Sequence, residues 1–186
     1  MLDHRGVTVY TIGHSTRPFD RFVELLAREG VRCVADVRTF PASRRHPQYN
    51  ADALAAALAE RGVDYVHMPA LGGRRRPSPD SANTAWRNEG FRGYADHMLT
   101  PEFQAGLATL AEIAARQPTA VMCAEAVPWR CHRSLLADAL VAGGHTVLHI
   151  LDARTSPHSL SPFAVVDAGT VRYRAAGAQD DLFGEE

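Results

Sequence analysis

The 186-residue chain contains no lysine: all 20 of its Lys+Arg positions are Arg. That absence excludes a Schiff-base lysine, the phosphate-binding lysine of a P-loop and any lysine general base. Cysteine is scarce and odd in number, with Cys33, Cys123 and Cys131 alone, too few for a disulfide framework. No run approaches the ~18 uninterrupted apolar residues of a membrane span. The opening MLDHRGVTVY lacks the charged-then-apolar pattern of a secretion signal, so the expectation is a cytoplasmic protein with reduced thiols. A net charge of −1 leaves no overall field to draw the chain onto nucleic acid or a membrane, and any such binding must rest on a local patch.

Apolar residues make up 46% and charged residues 22%, a balance that builds a core and argues against global disorder. Short β-branched runs alternate with longer amphipathic ones, the pattern of βαβ units. Strands are predicted near residues 7–12, 32–37, 64–68, 120–124 and 146–150, and helices near 19–28, 51–60, 91–98, 101–115 and 131–141. Phe19, Phe22, Leu25 and Leu26 give the first helix one apolar face, and Gly30 stops it. Asn50 and Thr100 stand as N-caps, with Pro101 at a first helical position. Residues 70–89 lack apolar periodicity and read as a long loop of the kind that carries function. Beyond Asp152 the alternation ends, and Val165, Val166, Val171 and Tyr173 suggest a hairpin turning at Ala168-Gly169. The fold class is α/β, an open, mostly parallel sheet of about five strands with helices on both faces in a Rossmann-like three-layer arrangement. Residues 1–176 are expected to form a single α/β domain, and 177–186 an unfolded tail.

Ligands of such sheets bind at the carboxyl ends of the strands. The first predicted strand delivers His14 and Ser15 there, and the second Asp36 and Arg38, followed by Ser43 and Arg44. The third delivers His67; the fourth delivers Cys123 and Glu125, followed by Arg130, Cys131, His132 and Arg133. Histidine, thiol, carboxylate and guanidinium converging from separate strands make this edge the candidate site.

Tyr10-Thr11-Ile12-Gly13-His14-Ser15, Asp36-Val37-Arg38 with Pro41 and Ser43, Leu71-Gly72-Gly73, Cys123-Ala124-Glu125 and Cys131-His132-Arg133 occur in that order. Over about residues 7–150 the chain resembles the family called domain of unknown function 488. The resemblance implies the α/β fold and marks these motif residues, Gly72 and Gly73 included, as the site. It implies no particular reaction.

Cys131 is predicted at a helix N-terminus, where free amides and the helix dipole stabilise a thiolate, and Arg130, His132 and Arg133 add positive charge. A nucleophilic or redox role follows from that placement, as does the plainer one of a small residue packed inward at a helix start. A cysteine-phosphatase loop is excluded, because Trp129 occupies the position its Arg requires and Pro128 removes an amide from the cradle. The C-x7-C-H spacing of Cys123, Cys131 and His132 matches no zinc pattern, so no metal and no cofactor are expected. Asp36 and Glu125 are the carboxylates placed for acid/base work, and such a pair suits glycosidic cleavage; equally, either acid would serve in an ion pair with Arg38 or Arg133. Arg74-Arg75-Arg76, with Trp86, Arg87, Phe91, Arg92 and Tyr94, interleaves charge and aromatic surface as single-strand binders do. His97, His145, His149 and His158 read as ordinary core or surface residues.

The tail Gln179-Asp180-Asp181-Leu182-Phe183 resembles the short motif by which bacterial DNA-maintenance proteins dock on the sliding clamp. Gln179, Asp181, Leu182 and Phe183 would make that contact, the Leu-Phe pair filling an apolar groove. The leading expectation is therefore a hydrolase directed at a nucleotide or nucleic acid, cleaving an N-glycosidic or phosphoester bond. Glu125 or Asp36 would be the acid/base group, Arg38, Arg130 and Arg133 would hold an anion, and His14 and Ser15 would complete the pocket. The alternatives are thiol chemistry at Cys131 with Cys123 as partner, and a non-catalytic adaptor on the clamp.

Overall fold

The computed structural model describes residues 6–175, so the tail motif at 179–183 lies outside the described residues. A sheet of six strands runs in the order β3-β2-β4-β1-β5-β6. Its strands are β1 (Thr8–Gly13), β2 (Cys33–Asp36), β3 (Asp64–His67), β4 (Thr119–Cys123), β5 (Thr146–Ile150) and β6 (Thr155–Pro157). The first five are parallel, as expected. The sixth, not expected from the sequence, pairs antiparallel with β5 at the sheet edge.

Every residue of β2 and of β4 is buried, because helices cover both faces of the sheet there. Alternate side chains serve the two layers. Ile12, Val34 and Met122 pack against Phe22, Leu25 and Leu54 from helices α1 (Phe19–Arg28) and α2 (Ala51–Ala59). Val9, Ala35 and Val121 point the other way, into Tyr94, Phe103, Leu110, Leu135 and Leu140 of α3 (Glu89–His97), α4 (Pro101–Arg116) and α5 (Arg133–Ala142).

Local signals end these elements where expected. Gly30 takes φ +67° after α1 and Gly62 takes φ +68° after α2, conformations that side chains other than glycine avoid. Thr100 caps α4 by accepting from the Phe103 N–H, a contact worth about 1 kcal/mol. Asn50 occupies the N-cap position of α2, but its side chain accepts from the Ser43 N–H instead and ties down the loop after β2. The predicted hairpin forms as β7 (Ala164–Asp167) and β8 (Thr170–Tyr173), with Ala168 and Gly169 at φ 46° and 79° in its turn. Asp138 of α5 anchors this region, accepting from Ser161 and from the Tyr173 hydroxyl at 2.8 Å.

Candidate functional site

The strand order sets β2, β4 and β1 side by side, so their carboxyl ends supply one place. Backbone hydrogen bonds from His14 N to Cys123 O, from Ser15 N to Ala124 O and from Val37 N to Met122 O bind the departing loops together. Gly13 lies against the Glu125 carbonyl, and a Cβ there would overlap it. Ser15 is held at φ 49°, a left-handed conformation costing roughly 1–2 kcal/mol that is commonly stored at functional sites. Beyond these ends opens a cavity of about 710 Å³, large enough for a nucleotide-sized ligand.

Two thiols line its floor. Cys123 ends β4 and Cys131 lies just ahead of α5, with their Sγ atoms 2.8 Å apart. Cys131 Sγ also receives the Arg133 N–H at the first turn of α5, and His132 Nδ1 at 3.5 Å. The Cys123 thiol donating to it, then His132 and the Arg133 charge, push Cys131 well below an ordinary thiol pKa. Burial and the same shared proton push Cys123 up. Both shifts favour the proton on Cys123 and the negative charge on Cys131. Gly73 fits under the His132 ring, where any Cβ would collide with it.

Arg133 itself is 1% exposed and faces the protein. Its guanidinium donates to the Glu125 carbonyl at 2.6 Å, holding the loop between the two cysteines, and to Thr11 Oγ1 at 3.3 Å. From there the bonds run one way: Thr11 donates to His149 Nδ1 at 2.7 Å, His149 Nε2 to His158 Nδ1 at 3.0 Å, and His158 Nε2 to Asp138 at 2.8 Å. Burial, His158 and Arg133 lower His149 to about 4, so its ring is the neutral acceptor this order requires. His149 and His158 are thus linked members of a buried network rather than ordinary core residues.

A second buried pair forms another wall. Asp36 is 0% exposed and takes hydrogen bonds from the backbone, Nε and Nη2 of Arg38 and from the Tyr65 hydroxyl. Arg38 also donates to the Tyr49 carbonyl and to His14 Nε2, at 3.3 Å. The His14 ring stacks on Tyr49 with centroids 4.2 Å apart, and burial together with the Arg38 charge lowers it to about 4. A neutral His14 donates from Nδ1 to the Ser15 carbonyl and keeps Nε2 as the acceptor for Arg38.

The mouth is positive and carries bare aromatic surface. Arg38, Arg45, Arg74 and Arg130 line the cavity, whereas Glu125 is its one lining carboxylate among the described residues. Glu125 is exposed and makes no ion pair among the described residues. Phe40 is 68% exposed, with the Arg74 guanidinium 5.8 Å from its ring centroid.

The structure brings His14, Ser15, Arg38, Ser43, Gly73, Cys123, Glu125, Arg130, Cys131 and His132 together on this cavity. It places five other candidates elsewhere. Asp36 and Arg133 lie behind the wall; Gly72 packs on Thr39; His67 bonds the Arg38 carbonyl; Arg44 points to solvent beside the lining Arg45. Thr39, Phe40, Arg45 and His46 line the cavity unforeseen. The signal for Phe40 was a large aromatic in a loop without apolar periodicity, flanked by Pro41 and a run of Arg. Of the predicted aromatic set, Trp86 is spent on Phe91, Phe163 and Tyr173, and Tyr94 is fully buried. The arginine run divides: Arg74 serves the cavity, while Arg75 turns to the Gly72 carbonyl and Glu102. Among the described residues no group of three His, Cys, Asp or Glu is arranged to hold a metal ion. No helix among them is long and apolar enough to cross a membrane.

Fold and site together define a three-layer α/β protein with an arginine-rich, thiol-floored cavity at its strand ends. The family model described as Domain of unknown function DUF488 matches residues 18–140, and the chain belongs to that family. No curated protein and no solved structure matches it.

Proposed function

We propose that this cavity is the active site of a thiol-dependent hydrolase acting on an anionic substrate of nucleotide type. The observation that carries the reading is the Cys123–Cys131 pair, 2.8 Å apart on the floor of a cavity lined by four arginines and one unpaired carboxylate. The Cys131 thiolate attacks an electrophilic carbon of the substrate, forming a C–S bond as the C–N or C–O bond to the leaving group breaks. Glu125 then takes a proton from water, whose oxygen displaces the sulfur and regenerates the thiolate. The leaving group gains one proton overall, so the sum is hydrolysis and needs no oxidant. Arg45, Arg74 and Arg130 supply the charge that holds an anion, while the Arg38 charge is met by Asp36.

This reading keeps the hydrolytic class favoured by the sequence but redistributes its residues. Asp36 has no free lone pair facing the cavity and becomes the seat of Arg38. His14 is neutral with both ring nitrogens engaged, and so shapes the wall rather than moving a proton. The test is a mass-spectrometric screen of the purified chain against nucleoside phosphates, dinucleotides and short oligonucleotides. Hydrolysis lost in both Cys131→Ala and Glu125→Gln is expected. Turnover that survives Cys131→Ala contradicts the thiolate step.

A further inference from the structure

Exposed aromatic and basic side chains extend past the cavity. Arg44 and Trp129 are exposed and lie outside its lining, yet each sits between or beside residues that do line it: Ser43 and Arg45 around the first, Arg130 next to the second. Trp129 is 64% exposed and Phe40 68%, although aromatic rings of this size are ordinarily spent on a core or an interface. A free nucleotide has one base and fills one cavity, so it leaves Trp129 and Arg44 unused. A nucleic-acid strand uses both, because each further nucleotide brings another π-face and another phosphate. The bases must be unpaired to reach these rings, since in a duplex their faces are stacked on one another.

We infer that the cavity mouth is a binding site for single-stranded nucleic acid, with bases stacked on Phe40 and Trp129 and phosphates held by Arg44, Arg45, Arg74 and Arg130. The inference rests on reading this cavity as the substrate site, and not on which residue performs the chemistry. It also locates the local basic patch that a chain of net charge −1 requires for such binding. The guanidinium of Arg74 beside the Phe40 face extends the stacking platform, as arginines do in single-strand channels.

The experiment is fluorescence polarisation of the full chain with a fluorescein-labelled thymidine dodecamer. The same strand in a duplex, inorganic polyphosphate and thymidine monophosphate serve as competitors. The single strand is expected to bind at least about ten-fold tighter than the duplex. Phe40→Ala and Trp129→Ala should each weaken it by roughly ten-fold with the salt dependence unchanged, the loss of one stacked base. Arg74→Ala and Arg130→Ala should instead each reduce the slope of log affinity against log salt by about 0.7, one phosphate contact apiece. Equal affinity for duplex or polyphosphate, or indifference to both aromatic substitutions, overturns the inference, as does monophosphate competing as well as the strand. Iodoacetamide labelling of Cys131 is followed on the same preparations. A reactive thiol without strand binding sinks this inference alone, whereas strand binding over an inert thiol sinks only the thiolate reading.

Discussion

Asp36 and Arg38 stand two residues apart at the end of one strand, and the carboxylate of the first receives Nε, Nη2 and the backbone N–H of the second. The pair is buried, so its net worth is modest while it is intact, but leaving one charge without the other is costly. Asp36→Asn should lower stability by about 3–5 kcal/mol and remove activity together with it. Glu125→Gln, at an exposed position, should remove activity and leave the thermal midpoint unchanged. Thermal denaturation of both variants separates a structural carboxylate from a chemical one.

Gly73 approaches His132 so closely that a side chain at 73 must move the imidazole. Because that imidazole helps hold the Cys131 thiolate, Gly73→Ala should raise the pH midpoint of Cys131 alkylation without unfolding the protein. Alkylation rates across pH, with circular dichroism as the control for folding, measure this. An unchanged midpoint would mean that His132 contributes nothing to the thiolate.

Acid stability follows from two buried rings. His14 and His149 are both lowered from 6.5 to about 4, chiefly by burial, and each is a hydrogen-bond acceptor only while neutral. In the unfolded chain both bind protons below 6.5, while the folded chain refuses them down to about 4. Unfolding therefore takes up protons in that window, and stability that is complete above 6.5 declines as pH falls towards 4. The melting temperature should drop through this range, and His149→Gln should flatten the slope by one of the two protons. A melting temperature constant down to 4 would contradict the neutral assignments.

The Gln179-Asp180-Asp181-Leu182-Phe183 motif yields a separate expectation. We propose that it docks on a bacterial sliding clamp, with micromolar affinity that Leu182→Ala/Phe183→Ala abolishes. Calorimetry with the purified clamp tests it, and binding unaltered in the double variant would show that the motif is not the contact.

Much of the scaffold was legible because its signals are local. Apolar faces such as Phe22, Leu25 and Leu26, and glycine stops such as Gly30, act within one element and are legible where they occur. The strand β6 escaped because three residues, Thr155–Pro157, carry no alternation; only the free edge of β5 gives them a place. The site was legible to the extent that parallel strands deliver their last residues to one edge, which is how His14, Arg38, Cys123 and Glu125 come together. What a side chain faces was not legible. Nothing in the spacing of Asp36 and Arg38 says that Tyr65 and Tyr49 enclose them, and nothing in the Cys123-to-Cys131 interval says that a turn at Pro128–Arg130 returns one sulfur to the other. Likewise Asn50 was visible as a cap by type, but Ser43 claimed its side chain.

We propose that Cys131 is a thiolate nucleophile maintained by Cys123. The direct measurement is the pH dependence of iodoacetamide alkylation at Cys131, resolved by mass spectrometry in the wild-type chain and in Cys123→Ala. The expected midpoint lies far below the ~8.5 of free cysteine, and it should shift upward once the Cys123 thiol no longer donates. A Cys131 that labels with the midpoint of free cysteine in both proteins would contradict it.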